Sequence, residues 1–210
     1  MTEAIHFKGH QTLEAAEPEC PQDAAPVGKL AQRDGGIALA VLSLWAAADT
    51  WHATTSLGFA ALLAIANGLA SGYVLALLGH EWGHFAEARW AGGIAPTRAI
   101  TSLFPIFALD MQRSSDRAFR AMSVGGNVGH WLVVVTLGAA LPLDHPGSLA
   151  LLAGAFAFAL SASLTEFPII GRAYRGASPA ESFRGLTGEK LRRNRWLGAA
   201  GGLVLFLLGL

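Results

Sequence analysis

Charge and cysteine are both scarce in this chain. Of its 210 residues, 14% are Asp, Glu, Lys or Arg and 52% are hydrophobic. An ordinary soluble domain carries about a quarter charged residues, so the shortage excludes that class. With a mean hydropathy of +0.41, the chain reads as an integral membrane protein. The single cysteine, Cys20, cannot form an internal disulfide, and in its polar setting it reads as an ordinary thiol. Basic and acidic residues balance at 15 each, with no basic stripe interleaved with aromatics, which leaves no footprint for nucleic acid. Residues 1–34 lack sustained apolar periodicity and the short apolar core of a signal peptide, and are expected to be a mobile cytoplasmic tail. His6 and His10 share a helical spacing there, which in a flexible segment is coincidence.

What the chain does have is long apolar runs. They fall at about 35–53, 57–88, 118–142, 147–169 and 195–210, and a bilayer core about 30 Å thick takes about 20 helical residues. The expectation is therefore an all-α polytopic membrane domain over 35–210 with about five transmembrane helices, the last one short. Asn67-Gly68, inside the second run, reads as a packing notch. The basic residues divide cleanly between alternate loops. Lys8, Lys29 and Arg33 precede the first run; Arg89, Arg98, Arg113, Arg117 and Arg120 lie between the second and third. Arg172, Arg175, Arg184, Lys190, Arg192, Arg193 and Arg195 lie between the fourth and fifth. In a five-span arrangement all of them share one face, which the positive-inside rule makes cytoplasmic. The N-terminus is then cytoplasmic, the C-terminus opposite, and a bacterial inner membrane the expected location. The Arg-rich segment 172–195 also suits anionic lipid or a regulator, although setting the topology accounts for it.

Against that apolar background, His80-Glu81-Trp82-Gly83-His84 stands out. On a helix, positions i and i+4 lie one above the other, so His80 and His84 can offer two nitrogens to one tetrahedral ion while Glu81 points toward a water. Ionisable groups in a membrane span mark functional sites. At 1.5 Å per residue, His84 lies about 8 Å and His80 about 14 Å inside the boundary at Arg89. Glu166 lies about 9 Å in from Arg172, and His130 about 15 Å in from Arg120. Three spans thus bring polar groups to one level, and Glu166 becomes the expected third metal ligand, since a metal removes the cost of its buried charge. Asn127 and His130 share a face and are expected to donate to an oxyanion, to steady a ligand, or simply to bond between helices. Glu87 reads as an interfacial charge.

The run from His80 to Arg89, followed by Gly92-Gly93, resembles the metal-binding helix of the site-2 protease family of intramembrane zinc metalloproteases. The resemblance covers residues 57–172, a three-helix metalloprotease core. Gly126-Asn127-Val128-Gly129-His130 stands where that family has Gly-Pro-x-x-Asn, without the proline and with His130 in the asparagine's place. Glu166-Phe167-Pro168-Ile169-Ile170-Gly171 replaces the family's aspartate motif, so the last protein ligand would be Glu166. Asp144, in Leu141-Pro142-Leu143-Asp144, imitates the aspartate motif in letters but lies about 21 Å further along the third span than His130; Asp110 is on the correct side and is a nearer rival.

The loop Ile94 to Asp116 contains a β-prone run, Thr97 to Phe104. The resemblance implies a short membrane-dipping β-hairpin or edge that holds an unwound substrate; an interfacial anchor is the plainer reading. The expected activity is zinc-assisted hydrolysis of a peptide bond in or near a transmembrane segment of a protein substrate, with Glu81 as the proton carrier. Two alternatives stand beside it: a gluzincin-type membrane protease whose downstream ligand is Glu181, and a non-catalytic metal-binding or scaffold subunit of a membrane complex.

Overall fold

The structure, a computed structural model, describes residues 24–210; Cys20, His6 and His10 lie outside them. Local signals set the helix ends. Pro26 precedes α1 (Val27–Thr55), where its fixed φ suits a helix start. Helix α2 (Gly58–Trp90) stops where Gly92 adopts a left-handed φ of 79° and the Gly93 N–H donates to the Ala88 carbonyl at 2.8 Å. The Ser115 hydroxyl accepts from the Ala118 N–H to open α3 (Asp116–Ala140), and Pro146 occupies the first turn of α4 (Pro146–Tyr174). A short α5 (Pro179–Ser182) and a long α6 (Gly188–Gly209) complete the chain.

Three of these helices, α2, α3 and α4, are long and apolar enough to cross a membrane. They form the centre of the molecule: α2 packs on α1, α3 and α4, and α4 packs on α3 and α6. Helix α1 opens at Val27, ahead of the apolar run at 35, and its first turns already bury Leu30 and Asp34. No strand forms among the described residues. The segment after α2 instead doubles back through one antiparallel bridge, Thr97 to Phe107, with backbone bonds from Arg98 to Ile106, Ala108 to Pro96 and Asp110 to Ile94. Its other edge is met by Ala25, whose N–H donates to the Arg98 carbonyl at 3.1 Å and whose carbonyl accepts from the Thr97 hydroxyl at 2.6 Å. Ile106 and Phe107 pack with Phe85, Ala88 and Ala95, which seats this loop on the last turns of α2.

The α2–α3 interface is a glycine seam. Gly79 and Gly83 face Gly129 and Gly125 at the four-residue spacing of a small-residue packing motif. A Cβ on Gly83 would run into the Gly125 carbonyl, and one on Gly129 into the Gly79 carbonyl. Backbones this close let short side chains bridge the helices, and the site below depends on that.

Gly83→Ala should therefore destabilise by about 1–3 kcal/mol, the usual cost of overpacking. Gly36→Ala, whose Cβ meets nothing within 4 Å, should be neutral or slightly stabilising, since Ala favours a helix over Gly. Thermal unfolding in detergent checks both; equal behaviour of the two variants would contradict the seam.

Candidate metal centre

Two helices supply the group. His80 and His84 come from consecutive turns of α2, and Glu166 reaches across from α4. The His80 and His84 Nε2 atoms are 3.1 Å apart, and Glu166 Oε1 is 3.3 Å from the first and 3.0 Å from the second. A tetrahedral ion with bonds of 2.0–2.1 Å separates its ligand atoms by about 3.3 Å, so this triangle matches the edges of such a shell. Among the described residues this His80, His84 and Glu166 group is the one arranged to hold a metal ion. His80 is buried, while His84 and Glu166 are partly exposed to a cavity of about 160 Å³ lined by Met122, Ser123, Ile169, Ile170 and Phe183.

Hydrogen bonds around the triangle set which nitrogen each neutral imidazole presents. Asn127 Nδ2 donates to Glu166 Oε2 at 2.6 Å, which turns Asn127 Oδ1 toward Ser163. The Ser163 hydroxyl must then donate to that oxygen, at 2.8 Å, and accept from elsewhere. It accepts from His130 Nε2–H at 3.2 Å and from Trp131 Nε1–H at 3.0 Å. A neutral His130 protonated at Nε2 has a bare Nδ1, which accepts from His80 Nδ1–H at 3.1 Å. That leaves His80 Nε2 without a proton, facing the triangle. Independently, His84 Nδ1 lies 2.6 Å from the Met122 carbonyl, so in a neutral ring the proton sits there and Nε2 is left for the triangle. Both imidazoles are thus held in the tautomer that ligates through Nε2, by the outer hydrogen bonds that tune known metal sites.

The donor set passes a second test of fit. Two imidazole nitrogens and a carboxylate oxygen, all within 3.3 Å of one another, repel unless a proton or a metal cation lies among them, and a metal ion satisfies all three at once. Gly126 makes room for them: a Cβ there would overlap the His84 ring and approach His80 Nδ1 to 2.8 Å. Nitrogen and oxygen ligands of this kind suit zinc and also admit iron or cobalt.

Glu81 lies on the other side of the same turn. Its Oε2 accepts from the Ile106 N–H at 3.2 Å, so the loop after α2 holds the carboxylate. That loop is itself pinned from α1: Arg33 donates to the Ile100, Ser102 and Leu103 carbonyls and pairs with Asp34 at 2.7 Å. Trp82, between Glu81 and the second histidine, donates to Asp34 at 2.9 Å.

The rival carboxylates have other partners. Asp110 accepts from the Gln112 and Arg113 backbone N–H groups and closes its own turn. Asp144 pairs with His145 between α3 and α4, at the far end from Glu166. Glu181 completes a capping box with Ser178, and the Ser178 backbone N–H and hydroxyl hold its carboxyl below the usual range. Glu87 stacks its methylenes against Gly125. Asn127 and His130 are placed by their bonds to Glu166 and His80, with both nitrogens of His130 and both ends of the Asn127 amide engaged. Sequence reasoning missed Ser163, Ile106 and the Arg33–Asp34–Trp82 tie. Only Ser163 left a signal, since it stands one turn before Glu166 on the same face of α4.

Fold and site together define an all-helical protein with membrane-length helices and a buried two-histidine, one-glutamate group able to hold a metal ion. No protein-family model, no curated protein and no solved structure matches the chain.

Metal content is the direct check. Glu166→Ala should lose the bound metal while Glu181→Ala keeps it, measured by elemental analysis of detergent-purified protein. Ser163→Ala, which cuts the hydrogen-bond circuit without touching a ligand, should weaken metal affinity about 10–100-fold in a chelator competition.

Proposed function

We propose that this chain is an intramembrane zinc metalloendopeptidase of the site-2 protease kind, hydrolysing a peptide bond in or near a transmembrane segment of a protein substrate. The observation that carries the reading is the convergence of His80, His84 and Glu166 from two membrane-length helices onto a tetrahedral edge, with Glu81 on the intervening turn. These three side chains would hold the zinc. When bound, the ion supplies a Lewis acid that polarises a carbonyl and raises the acidity of water.

The chain's own residues do the remainder. Glu81 takes a proton from the attacking water and returns it to the leaving amine nitrogen as the C–N bond breaks. The Ile106 N–H keeps that carboxylate on station between the two transfers. The circuit through His130, Ser163 and Asn127 holds His80 and Glu166 in their ligating orientations, so these residues position ligands instead of donating to an oxyanion. A helical substrate hides its carbonyls in its own hydrogen bonds and must unwind first; the extended segment around Ile106, next to Glu81, is where an unwound stretch would lie.

The reading includes five membrane crossings, with α1 and α6 flanking the three central helices and the arginine-rich end facing the cytoplasm of a bacterial inner membrane. The gluzincin-type variant has less support, because Glu181 caps α5 with Ser178. A non-catalytic role as a subunit of a membrane complex makes the opposite prediction for turnover.

Glu81→Gln should retain zinc and lower cleavage of a membrane-spanning reporter substrate by about 10²–10⁴-fold, the usual weight of general acid–base catalysis. Cleavage and zinc content are measured on the same reconstituted preparation; wild-type turnover in the variant would falsify the assignment, and no turnover by the parent chain would favour the subunit role.

A further inference from the structure

Beside the metal group, on the opposite flank of α4, the structure forms a second cavity of about 140 Å³. Its walls are of two kinds. Leu164, Pro168, Ile169 and Leu186 make an apolar floor, and Arg172, Lys190 and Arg193 bring three cationic heads to the rim. No carboxylate lines it. Among the described residues none of the three cations pairs with an acid; Arg172 donates to the Ser182 carbonyl and Lys190 to the Gly185 carbonyl at 2.8 Å. One turn beyond Arg193, Trp196 is 72% exposed on the outside of α6, the position of an interfacial aromatic anchor.

We propose that this cavity is a binding site for an anionic phospholipid, with the phosphate on the rim cations and the start of an acyl chain on the apolar floor. The argument is complementarity in both charge and polarity. Three uncompensated cations converging from α4 and α6 favour a phosphate, and each Lys or Arg near an anionic surface contributes about 1 kcal/mol. A soluble anion would have no use for the leucine, proline and isoleucine below them, whereas a lipid fits both levels at once. Helices α4 and α6 are already tied at this height by Asn194 Nδ2, which donates to the Thr165 hydroxyl at 3.1 Å, so the floor is preformed.

The site reaches the metal group through one piece of chain. The linker between α4 and α6 carries Leu186 and Gly185 over the lipid cavity, and its Phe183 lines the cavity that opens on His84 and Glu166. A lipid seated on Arg172 and Lys190 would hold that linker, and with it Phe183, in place. This consequence rests on the proposed proteolytic function; the binding itself does not.

The test compares two charge-matched pairs. Lys190→Gln with Arg193→Gln removes two rim cations; Arg192→Gln with Arg195→Gln removes two exposed cations of the same helix that do not line the cavity. Binding of phosphatidylglycerol is measured by native mass spectrometry and by titration in phosphatidylcholine nanodiscs. The rim pair should bind about 25-fold more weakly, about fivefold for each cation, and the exposed pair should stay close to the parent chain. The charge-conserving pair Lys190→Arg with Arg193→Lys should retain binding, which separates lost charge from lost fold. Equal loss in both neutralised pairs, equal binding of phosphatidylcholine, or full displacement by inorganic phosphate would each overturn the assignment, the last in favour of a free-anion site.

Discussion

Everything in this molecule is arranged around three atoms that should not be neighbours. Two imidazole nitrogens and a carboxylate oxygen sit within 3.3 Å of one another between apolar helices. In such a medium a buried charge without a partner costs several kcal/mol, and lone pairs aimed at one another add to that cost. A shared cation removes both penalties together. The outer hydrogen bonds then become intelligible: those of His80 and His84 occupy Nδ1 and turn Nε2 inward, while Asn127 donates to Glu166 Oε2 and leaves Oε1 facing the histidines.

The closeness of the helices is what makes those bonds short. With alanines in place of Gly79, Gly83, Gly125 and Gly129, α2 and α3 would separate, and the His80 to His130 bond at 3.1 Å would be among the first to stretch. The same economy applies at Gly126, where the missing side chain is the space the His84 ring fills. Sequence, packing and electrostatics therefore form one chain of cause: small residues permit close backbones, close backbones permit a polar circuit, and the circuit fixes which nitrogen each histidine presents.

Helix positions and the ligand triangle were legible in the sequence for a shared reason. Apolar runs of membrane length, and a carboxylate inside one of them, are large departures from composition, and helical rise converts residue number into depth. Hence Glu166 could be matched with His80 and His84 across 80 or so positions. Arg33 and Ile106 were not legible, because an arginine near a helix start and a backbone N–H carry no distinctive pattern, and Ser163 offered only its place one turn before Glu166. Their roles arise from which neighbours tertiary packing supplies. The β-prone run from Thr97 to Phe104 illustrates the converse: among these residues only Thr97 joins a bridge, and the chain turns at Ile100 and Thr101, because the segment pairs locally with Phe107 and Ala25 instead of with a long partner strand.

The two sides of the metal group are built differently, and that asymmetry bears on how a substrate would meet it. On one side Glu166 and His84 open to a cavity of about 160 Å³ that Glu81 does not line. Such a volume holds a few waters and no unwound peptide. On the other side Glu81 is covered by Ile106 and by a loop whose carbonyls are gripped by Arg33. Under the proposed proteolytic function a substrate would meet the group from this loop side, where Glu81 lies with the Ile106 N–H on its carboxylate. In that reading the ligands and the proton carrier would be served from different faces, water from the cavity and peptide from the loop, with Arg33 tying that loop to α1.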